Sequence, residues 1–119
     1  MVLVDTSVWV SHLRAGKPAL EKLLLAAEVA CHPFILGELA CGNIRNRAEV
    51  LSLLRALPMA PVVTQEEFLH FVDSHKLAGV GIGFVDVHLL ASSRLGGIAL
   101  WTEDRKLSQA ARRLELLYA

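Results

Sequence analysis

Four of the twelve acidic residues stand where their carboxylates could do chemistry. Asp5 directly follows the apolar run Val2-Leu3-Val4, and Asp104 comes three residues after an apolar run that ends at Trp101. Glu38 lies inside the apolar stretch from Phe34 to Cys41. Asp86 is hemmed in by Phe84-Val85 on one side and by Val87 and Leu89-Leu90 on the other. A carboxylate in apolar surroundings needs a partner, because an isolated desolvated charge is very costly. No Lys or Arg lies within one turn of Glu38 or Asp86. The alternative partner is a hard divalent cation, Mg2+ or Mn2+, which favours carboxylate oxygens. It would also relieve the repulsion between converging acids. Each acid has a purely structural reading as well. Asp5 and Asp86 could cap helices, Asp104 could be a first-turn acid, and Glu38 could be exposed on an irregular face.

Strands alternating with helices would have to bring these residues together. Val2–Val4, Val29–Cys31 and Ile98–Trp101 read as short buried strands. Met59–Val63 is open between a strand and an extended link, and Leu116–Tyr118 could add an edge strand. Between them the spacing predicts helices after Thr6, over Ala19–Ala27 and over Phe34–Cys41. A fourth is capped by Asn46, a fifth by Thr64 with Glu67 in a capping box running toward Ala78, a sixth opens at Asp86, and a last runs to about Leu114. Crossovers well over ten residues long imply parallel pairing. The expected fold is α/β: one domain over residues 1–119, a three-layer α/β/α sandwich around a central, mostly parallel sheet of four to five strands. In such sheets ligands bind at the carboxyl ends of the strands, where Asp5 and Asp104 fall.

Composition narrows the class. A 54% hydrophobic, 20% charged chain is globular, and a mean hydropathy of +0.46 suits buried strands plus an apolar association surface. No run approaches the ~18 apolar residues of a membrane span, and no basic segment precedes the apolar start as in a signal peptide. A cytoplasmic location is expected. Cys31 and Cys41 form no C-x-x-C pair and are expected to be free and packed. Twelve basic residues balance twelve acidic ones, so the chain lacks the strong overall positive charge of many nucleic-acid binders. If several acids are gathered in one metal site, however, the remaining surface is basic. Gly79-Val80-Gly81-Ile82-Gly83 has no Lys-Ser or Lys-Thr after it, which excludes a P-loop and leaves a flexible rim to the Asp86 site. His70 and His75 are off a common helical face, and no nucleophile–His–acid set is evident.

Taken together, Val2-Leu3-Val4-Asp5-Thr6-Ser7-Val8-Trp9, Glu38, Val85-Asp86-Val87-His88-Leu89-Leu90-Ala91 and Leu100-Trp101-Thr102-Glu103-Asp104 resemble the PIN-domain family, and within it the VapC-type toxins, across essentially the whole chain. The resemblance implies a metal-dependent endoribonuclease that hydrolyses RNA phosphodiester bonds. It further implies Mg2+ or Mn2+ as cofactor, a cognate VapB-type antitoxin as inhibitor, and a homodimer. Asp5, Glu38 and Asp86 match the family's three central acids and Asp104 its more variable fourth, as catalytic and metal-holding residues. Thr6 and Thr102 match its supporting hydroxyls, which would contact metal waters or the scissile phosphate. Glu103 is a second carboxylate beside Asp104 and competes for its role. Two other readings compete. One is a non-catalytic protein-binding module on the same scaffold, and the other is a phosphoryl receiver-like domain, whose required lysine only Lys106 could supply.

Overall fold

In the computed structural model, which describes residues 1–119, three parallel strands are linked and followed by seven helices. They are β1 (Val2–Val4), α1 (Thr6–Ala15), α2 (Pro18–Leu25), β2 (Val29–Ala30), α3 (Pro33–Cys41), α4 (Arg47–Arg55), α5 (Gln65–Ser74), α6 (Phe84–Gly96), β3 (Ala99–Trp101) and α7 (Arg105–Arg113). The sheet order is β2-β1-β3. Val2 faces Val29 and Leu3 faces Ala30 on one side; Val2, Leu3 and Val4 face Ala99, Leu100 and Trp101 on the other. Successive strand side chains point to opposite faces, yet all three residues of β1 are buried. Both faces of the sheet are therefore covered, as a three-layer arrangement requires.

The expectation of four to five strands is corrected to three. The two additional segments each contribute a single bridge, Cys31 with Met59 and Leu100 with Leu117. Pro58 and Pro61 flank Met59 and have no N–H to donate, so that edge cannot lengthen. Beside β3, Leu116 accepts from Leu100 N at 2.7 Å and Tyr118 N donates back to Leu100 at 2.8 Å. Glu115 turns left-handed (φ 60°) immediately before this segment, so pairing starts only at Leu116.

Helix boundaries follow local chemistry. Thr64 and Glu67 form the expected reciprocal capping box of α5. That helix stops at Ser74, before Ala78, because Lys76 turns left-handed and Leu77 is buried. Asn46 precedes α4 with a φ of 54° and makes no side-chain cap bond, contrary to the role expected of it. Helix α6 begins at Phe84, so Asp86 is its third residue and does not open it. Both cysteines are free, but only Cys31 is packed; Cys41 is exposed.

Candidate functional site

The chain leaves β1 toward β2 on one side and reaches β3 on the other, which makes the carboxyl end of β1 a switch point where a crevice opens. Asp5 sits there, its N–H donating to Trp101 O at 2.9 Å. Its side chain is buried, 5% exposed, so its oxygens require donors. Thr102 Oγ1 and Ser7 Oγ both donate to Asp5 Oδ2, at 2.8 and 2.7 Å. Those hydroxyls accept in turn from backbone: Asp104 N donates to Thr102 Oγ1 at 3.0 Å and Glu103 N to Ser7 Oγ at 2.9 Å. One carboxylate thus ties the β1–α1 junction to the β3–α7 junction.

The other acids are fixed in similar ways. Thr6 Oγ1 donates to Glu38 Oε1 at 2.6 Å, linking α1 to α3. Gly83 N donates to Asp86 Oδ2 at 3.3 Å, and Leu107 N to Asp104 Oδ1 at 2.8 Å as the N-cap bond of α7. The structural readings of Asp5, Asp86 and Asp104 as helix-end acids therefore hold alongside any other role. In each of the four, one oxygen is engaged and the other accepts no hydrogen bond from the protein.

Electrostatics gather these acids around Asp86. Its carboxyl is raised above its ordinary value, first by desolvation, then by the negative charges of Asp5, Asp104 and Glu38, against a lowering contribution from the Gly83 N–H. The four share one field. As the side chains stand, however, no three of them close into a ready-made metal cage. The donor set still fits a hard divalent ion in kind: four carboxylates, each with a free oxygen, in mutual repulsion that a cation would relieve.

Glu103 points elsewhere. Its Oε1 accepts from Ser11 Oγ at 2.6 Å and its Oε2 pairs with Lys17 Nζ at 2.6 Å, and these partners pull its carboxyl below the usual range. Ser7, which the sequence offers beside Thr6 as a contact to metal waters or the scissile phosphate, instead donates its hydroxyl proton to Asp5. Thr6 and Thr102 spend their protons on Glu38 and Asp5, so they orient acids before they could touch anything else. His32 and His88 lie in an aromatic cluster, where His88 stacks on Phe68 at 4.4 Å and His32 bonds Ser92 Oγ at 3.0 Å. Lys106 makes no ion pair with any of the acids, so the receiver-like reading finds no support in its placement.

This α/β scaffold, with acids at its switch point, matches known proteins. A PIN domain is recognised over residues 2–113. Two curated proteins called Ribonuclease VapC32, from Mycobacterium tuberculosis strains CDC 1551 / Oshkosh and ATCC 25618 / H37Rv, are each 50% identical over 111 residues, spanning 92% of this chain and 90% of theirs. Among solved structures, PAE2754 from Pyrobaculum aerophilum superposes with a TM-score of 0.59 over 92% of this chain and 78% of its own, at 18% identity, a likeness of fold alone. The chain belongs to the PIN-domain family, in its VapC-type branch.

Proposed function

We propose that this protein is the toxin of a type II toxin–antitoxin pair, an endoribonuclease that hydrolyses RNA phosphodiester bonds with Mg2+ or Mn2+. The observation that carries the reading is the set of four carboxylates at one end of the sheet, each held by a protein donor and each keeping one oxygen free. The relatives named as ribonucleases support the same activity.

In this reading Asp5 and Asp86 hold the metal directly, Glu38 does so directly or through water, and Asp104 holds a second ion or orients the attacking water. A bound divalent ion supplies an activated water and neutralises charge building on the phosphoryl oxygens. The protein's own contribution is orientation. Ser7 and Thr102 lock Asp5, Thr6 locks Glu38, and the backbone N–H of Gly83 steadies Asp86. Residues 1–119 act as one domain, in the cytoplasm, and as a homodimer; no helix is long and apolar enough to cross a membrane. A VapB-type antitoxin would find a surface in the apolar groove between α1, α2 and α4, lined by Trp9, Leu13, Leu24, Leu53 and Leu57 among others.

Purified Asp5→Asn and Asp86→Asn proteins should keep the wild-type circular dichroism spectrum and lose metal-dependent cleavage of RNA, and EDTA should silence the wild type. Undiminished cleavage by either variant refutes the assignment.

A further inference from the structure

Where α7 meets the glycine loop lies a cleft of charge opposite to that of the acid site. It is a concavity of about 240 Å³ lined by Lys76, Val80, Lys106, Gln109, Ala110 and Arg113. Three cations converge on it and no carboxylate lines it. Neither of the molecule's ion pairs, Met1 with Glu28 and Lys17 with Glu103, involves any of the three. Like charges gathered around a concavity repel one another and focus a positive potential, a standing invitation to an anion.

One of the three cations is held by a hydrogen bond and a second is packed against backbone. The Lys106 side chain lies along the backbone of Gly81, so close that a Cβ there would come within 2.9 Å of Nζ and 3.1 Å of Cδ. Gly81 has a φ of +87°, so both its conformation and its missing side chain are used. Arg113 is braced by a bond from Nη2 to His75 O at 2.9 Å. Cations fixed beforehand lose less freedom when they bind.

The cleft adjoins the acids along the chain. Lys106 is two residues beyond Asp104 in the first turn of α7, and Gly81 is two residues before Gly83, whose N–H holds Asp86. We infer that the Lys76–Lys106–Arg113 cleft is a subsite for the RNA backbone, seating a phosphate next to the one that is cut. This inference rests on the ribonuclease reading above and gives its substrate a direction: the strand leaves the acids over the glycine loop and along α7.

The test is binding of a labelled single-stranded RNA, followed by fluorescence anisotropy in EDTA across a salt series, with cleavage kinetics measured in Mg2+. Lys76→Gln/Lys106→Gln should weaken binding about fivefold per cation near 0.1 M salt and lower the slope of log K against log salt by about 0.7 per cation. KM should rise while kcat holds. Lys22→Gln/Arg55→Gln, the same charge removed from α2 and α4, should leave the slope unchanged. Equal losses in both pairs, or no loss in the first, overturn the cleft. So does unchanged RNA affinity with lost binding of a polyglutamate peptide, which would assign the cleft to an acidic protein segment. A wild type that neither binds nor cleaves RNA defeats the ribonuclease reading itself; a wild type that cleaves, with the first pair indistinguishable from it, defeats only the cleft.

Discussion

Asp5 is a buried carboxylate whose burial is tolerated because two hydroxyl protons reach one of its oxygens. Thr102→Val keeps the shape of the side chain and removes one of those protons. Hydrogen bonds to charged groups contribute roughly 1.5–3 kcal/mol, so urea unfolding of Thr102→Val should show a loss of about that size, and a loss below about 0.5 kcal/mol would mean the bond is idle. Asp86 calls for the opposite outcome. Asp86→Asn retains an oxygen for the Gly83 N–H and removes a charge that Asp5, Asp104 and Glu38 repel. In EDTA this variant should be more stable than wild type, and its melting temperature, unlike that of wild type, should scarcely respond to Mg2+. At this scale the acids were legible because charge inside an apolar run is conspicuous. Their hydroxyl partners were legible only as neighbours. Which oxygen Thr6 or Thr102 serves depends on where α3 and β3 arrive, and no local pattern encodes that.

Among the elements, helices were more legible than strands. The Thr64–Glu67 box needs only four consecutive residues, and it formed as expected. Thr64→Ala removes the acceptor for Glu67 N (3.1 Å) and should cost about 1 kcal/mol in thermal or urea unfolding; an unchanged midpoint would show that α5 is held by packing alone. Asn46 had the right residue type for the same role, but its left-handed backbone turns the side chain from the helix end. The sheet was legible in its order of events and overcounted in its strands. An apolar run announces burial, whereas a ladder depends on donors in the neighbouring segment, and the prolines around Met59 withhold them. The basic cleft could not be assembled from the sequence, because Lys76 and Lys106 are thirty residues apart and meet only when α7 packs beside the glycine loop.

For the whole molecule, balanced charge conceals segregation: setting aside the four gathered acids leaves a surplus of four positive charges over the remaining chain. The global response to acid rests on a different group. His32 is fully buried, and desolvation, with the nearby His88 adding to it, pushes its pKa down to about 4. Its ring faces Ser92 and Phe34, and His88 is the titratable group that opposes its charge. Above pH 6.5 His32 is neutral whether the chain is folded or not, so it makes no difference to stability. Between about pH 6.5 and 4 the unfolded chain takes up a proton that the folded one refuses, and stability must fall as the pH falls, at up to about 1.4 kcal/mol per pH unit and about 3 kcal/mol in all from this ring, with His75 and His88, also lowered, adding in the same direction. Asp86, raised in the folded state, works the other way and offsets part of this loss only near the carboxylate range. Urea unfolding at pH 7.5, 6.5 and 5.5 should therefore give a plateau followed by a decline, and the His32 ring protons in NMR spectra should not titrate until the pH nears 4. A free energy of unfolding that stays level from pH 6.5 to 5.5, or a His32 resonance moving near pH 6.5, would mean that water reaches this ring and that the aromatic cluster beneath α6 is not sealed.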